Sequence, residues 1–595
     1  MTLIAPPSSL NMLTMVTGGS SPSMIFLQYM STIGPVTVTG QVDTKYQLTD
    51  VITHNANYTV WMFHIKPGLK WSDGTNVTAN DILATFGPNF AFNTTYDFAG
   101  LHTEVKNEYA ANSSTAVYVL NAPDAQWPQK IKGDYFTTVM PASLINQYGA
   151  AAANFGTTKS VGPFYLENYS AGQFQAKMVR NPYFNSTGLP EPIICEIDIN
   201  FVDSLSQTAA YLQSGQTDFA FLEYSNANAT LNANHYIKLY AEKGLGITDI
   251  QYNDTAYPYN MTAFRQGLAY AVNQSQIVKQ AFAGFGLTAY SGEGAVSPVA
   301  TNYYNPNIAN YSFSPTTALS LFSQAGIKKG SDGHLQYPNG TDVTLNLWAD
   351  TDNTADPQAA SVVQSDLQSL GFIVNLQTTT AANIVADYGA NTQGLRSSMI
   401  LATTNVAYFG EPYIDTLPGW DVYFLPTVPA SHWLWPASAD AMYNGNVTAY
   451  DSTADPTADR QALFNIEALN AQYLPSLVVA YPDKLFAVNT QYWTNFPSGE
   501  LIYYSYNWNV TALVNIAPAG TSTATTSSVP VTTGTTATST GTQITTSPVT
   551  GTTATSVTSA TSSGTSSNTN LLIGAGIVIV IIVIAAAALA TRRRR

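Results

Sequence analysis

The side chains that carry most enzyme chemistry are few and scattered in this chain. Six histidines stand at 54, 64, 102, 235, 334 and 432, and none has another four residues away. No metal-binding H-E-x-x-H helix is therefore encoded. A G-x-S-x-G elbow and a Walker A loop are both missing, which argues against a lipase-type serine and a phosphate cradle. Gly244-Leu245-Gly246 and Gly284-Phe285-Gly286 lack the third glycine of a dinucleotide fingerprint. Cys195 is the single cysteine, so an internal disulfide framework and cysteine-based zinc or iron–sulfur sites are excluded. It sits in an apolar strand pattern, where an inert buried thiol is expected. The paired carboxylates of a glycosidase can be far apart in sequence, so that chemistry stays open. What is abundant is material for stacking and neutral hydrogen bonding, with 36 Tyr and 9 Trp. Binding without catalysis, metal or cofactor is the expectation.

Composition narrows the setting. The 595 residues suffice for several domains' worth of core, and 45% are hydrophobic, a globular value. Only 10% are charged and the net charge is −15, which argues against a nucleic-acid partner, since phosphate contacts need Lys and Arg. Leu571 to Ala590 is an uninterrupted apolar run followed at once by Arg592–Arg595. Its length matches a bilayer core, about 30 Å at 1.5 Å per residue. The arginines should stay cytoplasmic, which places the long N-terminal part outside. Ala519 to Asn570 is almost pure Ser, Thr, Gly, Ala and Val, the composition of an O-glycosylated stalk. All 37 acidic residues precede the stalk, against 18 basic ones once the four terminal arginines are set aside, so the ectodomain carries −19. Fourteen N-x-Ser/Thr sequons, from Asn57 to Asn509, all fall in that exterior part. The opening MTLIAPPSSLNML lacks the basic and apolar regions of a signal peptide. Either the true start lies upstream or a signal was removed. Few charges and one cysteine would suit an acidic exterior.

Such side chains need elements to hold them. Tyr58 to Lys66 reads as a strand, Asp73-Gly74 as a turn, and Thr78-Ala-Asn-Asp81 as a capping box before Ile82, Leu83 and Phe86. Phe174–Arg180 and Ile193–Phe201 read as strands, and Ser206–Ser214 as a helix. Met261–Ala283 holds two helices, the second capped by Asn273. Val343–Trp348, Ala360–Leu370 and Phe372–Leu376 form a βαβ unit with Gly371 ending the helix. Asp459–Tyr473 is a helix closed by Pro475, and Leu477–Tyr481 is an apolar strand. The alternation indicates an α/β or α+β architecture.

Four blocks then stand in a familiar order. YTVWMFHIKPGLKWSDGTNVTANDILATF, SVGPFYLENYSAGQFQAKMVRNPYF, AYPYNMTAFRQGLAYAVNQSQIV and RQALFNIEALNAQYLPSLVVAY begin at Tyr58, Ser160, Ala256 and Arg460. Together they resemble the dipeptide/oligopeptide-binding proteins of ABC importers, solute-binding protein family 5, over about residues 1 to 515. Asn273 stands where the family usually has Asp. A C-terminal membrane anchor in place of an N-terminal lipid is a plan associated with archaeal members.

The resemblance implies an α/β periplasmic-binding-protein-like fold of two lobes closing over a solute. The first lobe would be residues 1–250 with 481–518, including an extra subdomain at 31–159. The second would be 251–480, followed by the stalk (519–570), the transmembrane helix (571–590) and the basic tail (591–595). Hinges would fall at Gln251, Tyr252 and Asn253 and between Val478 and Tyr481. The motif residues Asp73, Gly74, Thr78, Asp81, Gly162 and Pro163 are expected to be structural, and Arg265 to make an internal salt bridge. Peptide binders of this family place an Asp three residues before a Glu/Asp-Pro pair. Here the pair is Glu411-Pro412, and that residue is Tyr408. Glu411, Asp415, Trp420, Trp433 and Trp435 complete the candidate solute contacts. Losing the carboxylate for a peptide amine favours a sugar, because a buried ammonium without a partner is costly. The implied function is a monomeric extracellular binding protein that hands an oligopeptide or oligosaccharide to a membrane permease. A tethered glycosidase and a surface adhesion glycoprotein are the alternatives.

Overall fold

The computed structural model describes residues 1–520 apart from 11–23, 35–43, 87–103, 129–137, 149–158, 388–396, 405–436, 497–513 and shorter breaks. The apolar run at 571–590 and the arginine tail lie outside the described residues, as does the stalk from residue 521 on. Among the described residues no helix is long and apolar enough to cross a membrane.

The chain begins with a three-residue strand, β1 (Thr2–Ile4), and then builds a separate small sheet. β2 (Thr49–His54), β3 (Val60–Ile65), β4 (Val105–Asn112) and β5 (Thr115–Leu120) pair antiparallel in the order β2-β3-β5-β4. In β3 the residues Trp61, Phe63 and Ile65 are buried while their neighbours are less so, the period-two pattern of a half-covered sheet. The helix α1 (Ala79–Phe86) packs on β4 and β5, and α2 (Ala142–Tyr148) packs on α1. Trp61, Phe63, Trp71, Ile82, Tyr118 and Trp127 share this core. This sheet falls inside the segment expected to form the extra subdomain.

Next come β6 (Phe164–Asn168), β7 (Gln175–Arg180) and β8 (Glu196–Val202), then α3 (Leu205–Gln213), β9 (Phe219–Phe221), α4 (Tyr224–Ala233) and β10 (Ile237–Glu242). The next run opens with β11 (Ile247–Tyr252), α5 (Thr262–Ala271), α6 (Gln274–Gln280), β12 (Gly286–Thr288) and α7 (Pro315–Gln324). A small hairpin, β13 (Lys328–Lys329) with β14 (Leu335–Gln336), precedes β15 (Thr344–Asp350), α8 (Asp356–Leu370), β16 (Ile373–Thr379) and β17 (Met399–Thr404). The helices α9 (Ala437–Ser452) and α10 (Pro456–Tyr473) lead to β18 (Leu477–Pro482) and β19 (Lys484–Asn489). A last two-stranded pair joins β20 (Trp493–Thr494) to β21 (Ala517–Pro518).

Two large mixed sheets result. One has seven strands in the order β10-β19-β9-β1-β8-β7-β6, and the other six in the order β12-β18-β11-β17-β15-β16. The βαβ unit read from the sequence is β15-α8-β16, with parallel strands and Gly371 at φ 109 ending the helix. The chain passes from the first sheet to the second at Lys243–Gly246, and back at Asp483. Those passages lie a few residues from the stretches expected as hinges. Gln251 and Tyr252 close β11 and Asn253 follows it, while Val478 and Tyr481 lie within β18. The offset arises because β11 and β18 pair with each other inside the six-stranded sheet, where every residue of both strands is buried.

Cys195 corrects an expectation. It is exposed, because β8 starts only at Glu196 and the preceding Ile193 is itself 47% exposed.

Candidate functional site

The conspicuous sequence motif is consumed by its own scaffold. Asp73 Oδ1 accepts from the Thr75 backbone N–H (3.0 Å) and hydroxyl (2.5 Å), and Oδ2 pairs with Lys159 Nζ at 2.6 Å. Burial opposes ionisation here, yet Lys159 and Thr75 hold the Asp73 carboxyl below its ordinary range. Gly74 has φ +83, and a side chain there would meet the Tyr183 hydroxyl. Asp81 completes the capping box: its Oδ2 accepts from the Thr78 backbone N–H at 2.7 Å and the Thr78 hydroxyl at 3.0 Å. Its Oδ1 accepts from the Ala142 N–H at 2.8 Å, tying α1 to the start of α2. Burial nonetheless pushes the Asp81 carboxyl up. Gly162 approaches the Gln28 backbone so closely that a Cβ would lie 2.8 Å from it, and the Pro163 carbonyl accepts from Asn181 N–H at 2.9 Å.

Arg265 corrects the salt-bridge expectation. The fully buried guanidinium donates to the carbonyls of Tyr473 (2.8 Å) and Tyr259 (2.7 Å), with Thr262 Oγ1 at 3.3 Å. The last carbonyls of α10 have no partner within the helix. Tyr311 supplies one to Ala471, Gln266 to Gln472, Arg265 to Tyr473 and Tyr252 to Leu474. A cation suits that negative helix end. The lead into β18 is thereby fixed to the second sheet's helices.

A different arrangement appears on that sheet. Ile250 and Tyr252 of β11, Leu345, Leu347 and Ala349 of β15, and Met399 and Leu401 of β17 join the apolar cluster with α5 and α8. Alternation sends their neighbours to the opposite face. Gln251 and Trp348 both stand in register with Ile400, so the three form one row across adjacent strands. Asp249 stands opposite Ala402 two residues along, and Asp350 follows Trp348 by two on β15, one residue past the last pairing of β15 with β17, Ala349 with Leu401. All six are buried. Gln251 Nε2 donates to Asp249 Oδ1 at 3.1 Å, but among the described residues Gln251 Oε1 and Trp348 Nε1 have no hydrogen-bond partner. A buried acceptor and a buried donor are thus left open on one face among the described residues, each costing about 1–3 kcal/mol unless a further polar group meets it. Burial also pushes the Asp350 carboxyl up.

The edge of this face is braced from behind. Thr248 and Thr403 share a hydroxyl–hydroxyl bond of 2.7 Å, and Thr403 donates its N–H to Asp356 Oδ2 at 2.7 Å. The Thr403 hydroxyl and Asp356 Oδ1 are 2.5 Å apart. Burial pushes the Asp356 carboxyl well up, against the pull of the Thr403 bonds. This is the carboxyl end of the parallel strands β15 and β17, the edge where open α/β sheets hold ligands. It is also the edge that adjoins the two passages. There the buried Asp483 bonds Lys243 Nζ at 2.5 Å and the Gly244 N–H at 3.0 Å, joining one passage to the other. Tyr224 of α4 donates to the Asp483 carbonyl at 2.8 Å.

Tyr408, Glu411, Asp415, Trp420, Trp433 and Trp435 lie outside the described residues. In sequence their segment follows β17. Sequence reasoning missed Asp249, Trp348 and Asp350, and took Gln251 only for a hinge. The signal was present in TLNLWAD, where Asn346, Trp348 and Asp350 alternate with Leu345, Leu347 and Ala349. A separate cavity of about 810 Å³ lies against β7 and β8. Several of its polar groups are matched within the chain, for example Lys177 with Glu196 at 2.7 Å and Asp218 with Trp493 Nε1 at 3.2 Å, so it is the weaker candidate. Among the described residues no group of three His, Cys, Asp or Glu side chains is placed to hold a metal ion.

Comparison with known proteins agrees with this architecture. The probable ABC transporter-binding protein of Deinococcus radiodurans is 23% identical over 380 residues, covering 58% of this chain and 63% of that protein. The chain thus spans about three-fifths of the length of the curated relatives it matches. Among solved structures, the periplasmic oligopeptide-binding protein of an oligopeptide ABC transporter from Thermotoga maritima superposes with a TM-score of 0.73 at 17% identity, covering 87% of this chain and 98% of that one. The same protein with bound mannohexaose gives 0.67 at 18% identity, covering 87% and 99%. The oligopeptide-binding protein AppA from Bacillus subtilis, in complex with a nonapeptide, gives 0.64 at 18% identity, covering 86% and 97%. These neighbours share the fold, a two-lobed α/β binding-protein architecture. Residues 43–416 match the family described as bacterial extracellular solute-binding proteins, family 5 middle, and with that match spanning more than half of its length the chain belongs to that family.

Proposed function

We propose that this protein captures a small oligomeric solute outside the cell, between its two large sheets, and delivers it to the permease of an ABC importer without changing it chemically. The observation that carries the reading is the open row on the six-stranded sheet. Gln251 Oε1 and Trp348 Nε1 are buried, without a partner among the described residues, and set in one row of the sheet that both passages enter. A solute group that donates to one and accepts from the other would recover the cost of burying both. Pockets of this kind join apolar walls to a few placed polar groups. Lys243–Gly246 and Asp483 serve as the hinge, since few covalent connections limit motion there.

For the solute, we place an oligosaccharide ahead of an oligopeptide. Tyr408 stands where the family's peptide binders have a carboxylate, and both open groups on the described face are neutral. The mannohexaose complex of the Thermotoga protein and the nonapeptide complex of AppA are the two precedents within the fold. We also propose that 571–590 spans the membrane, that Arg592–Arg595 is cytoplasmic, and that the ectodomain acts as a monomer on a glycosylated stalk. Calorimetry against panels of neutral oligosaccharides and of free and N-acetylated peptides tests the solute. Tight binding of a free-amino peptide, weakened by acetylation, would reverse the order. Failure of every panel member to bind, with the protein folded, would count against capture itself. Protease applied to intact cells should release the ectodomain by cutting within the stalk.

A further inference from the structure

The subdomain and the six-stranded half of the molecule meet at a contact rich in carboxylates. On the subdomain side the loop after β5 is held firmly: Trp61 Nε1 donates to the Asp124 carbonyl at 3.0 Å, and Asp124 Oδ1 accepts from the Gln126 N–H at 2.8 Å. From this loop the Ala125 N–H donates to the carbonyl of Asp451, at the end of α9, at 2.6 Å. Gln126 Nε2 donates to the Thr453 carbonyl at 2.8 Å and to Asp459 Oδ2, in the first turns of α10, at 2.9 Å. The second oxygen, Asp459 Oδ1, is buried without a partner among the described residues. The other titratable groups brought to this contact are Asp124 from the loop, Asp451 from α9 and Asp455 at the cap of α10. Arg460, next in sequence to Asp459, is exposed.

We propose that this contact is an acid-favoured latch between the subdomain and the six-stranded half, held by a proton on Asp459. Among the described residues the ionised carboxylate has one donor, Gln126, and a buried oxygen that none of them satisfies. Protonation removes the charge and turns that oxygen into a donor. Opening the contact returns the carboxylate to water, where ionisation costs little. The latched form therefore binds the proton more tightly than the released form, so latching strengthens as pH falls and weakens as pH rises. Burial pushes the Asp459 carboxyl up to about 6, with Gln126 opposing and Asp455 adding to the effect, which places the change near that pH. If the transport reading holds, on which this role rests, a solute taken up in acid surroundings would meet a cleft with one wall pinned.

Spin labels at Ala111→Cys and Ala468→Cys, both exposed positions, on a Cys195→Ser background would report the separation across the contact by pulsed dipolar spectroscopy. Between pH 7.5 and 5 the ratio of short to long distances should rise about threefold to fivefold, below the roughly tenfold of full linkage because solvent screens the half-exposed carboxylate. Asp459→Asn should hold the ratio constant across that range. Gln126→Ala should lower the short-distance fraction at pH 5. A distribution that does not change with pH, or a pH response that survives Asp459→Asn, would overturn the latch. No solute is needed, so a negative result here leaves solute capture to be judged by the calorimetric panels.

Discussion

Asp81 and Gln251 are buried to nearly the same degree, at 6% and 3% exposure, yet they are employed in opposite ways. Asp81 gathers two backbone N–H groups and a hydroxyl onto its two oxygens. Gln251 spends its amide N–H on Asp249 and leaves its carbonyl oxygen with nothing. The first belongs to the loudest motif in the sequence, the second to a strand with no motif at all. A side chain whose bonding capacity is used up inside the fold has none to offer a solute. Motif strength therefore marks scaffold in this protein, and the unmatched pair on the six-stranded sheet is what we propose as the site.

The comparison breaks first, and with the largest effect, at Asp81. Asp81→Ala strands the N–H groups of Thr78 and Ala142 and unties α1 from α2. Loss of about 3 kcal/mol of folding stability is expected, measured by urea unfolding. Affinity of the folded fraction for its solute should stay within about twofold. A selective loss of affinity would mean that the motif touches solute after all.

Asp356 offers a sharper test, because it braces the open face from behind. Its carboxyl is pushed well up by burial, while an unfolded Asp ionises near 4. The folded state thus keeps a proton that the unfolded state gives up. The favourable contribution of the neutral acid is complete below about pH 4 and fades as pH rises toward the raised native value. The neutral form also fits the geometry, since a carboxyl proton on Oδ1 can be given to Thr403 Oγ1, which in turn donates to Thr248. Asn is a permanent copy of that neutral form. Asp356→Asn should match the parent at pH 4 and exceed it in stability at pH 8. Equal stability at both pH values would show an ionised Asp356.

How much of this was legible depended on whether local chemistry or long-range pairing made the feature. The capping box at Thr78–Asp81, the cap at Asn273, Gly371 and the β15-α8-β16 unit are fixed by residues a few positions apart, and all were readable. The row of Gln251, Ile400 and Trp348 joins strands about a hundred residues apart through register, which no local pattern reports. Arg265 misled for a related reason. A buried arginine suggests a carboxylate, but the carbonyls of a helix end far along the chain serve it equally well. Cys195 misled because its apolar run starts before the strand does.

The open row itself should respond in the reverse sense to Asp81. Trp348→Phe removes a polar atom that has no partner among the described residues, so stability should change by less than about 0.5 kcal/mol or improve slightly, whereas Gln251→Met also gives up the bond to Asp249 and should cost about 1 kcal/mol. Solute affinity should fall about tenfold for each, near 1.4 kcal/mol, read by calorimetry. Both variants losing stability while binding normally would place the solute elsewhere.

Asp483 is a third case, with the smallest expected effect, and it separates the two categories. Its carboxylate is fully buried and matched, like that of Asp81, but both partners, Lys243 and Gly244, belong to the other passage between the sheets. Lys243 is 60% exposed, so solvent screens the pair and replaces much of what is lost when the charge is removed. Asp483→Asn keeps an oxygen for the Gly244 N–H and gives up only the ionic half of the contact. The cost in stability should be about 0.5–1 kcal/mol, and added salt should shrink the difference between parent and variant. A merely structural pair would do no more than that. A pair that joins the two passages should also change how the sheets move, because Lys243 and Asp483 approach each other only in one relation of the two strands that carry them. Scattering of the solute-free ectodomain should then show a larger radius of gyration in Asp483→Asn, with the difference vanishing at saturating solute. An unchanged radius alongside the small stability loss would move Asp483 into the company of Asp81, as scaffold, and would shift the hinge away from Lys243–Gly246 and Asp483.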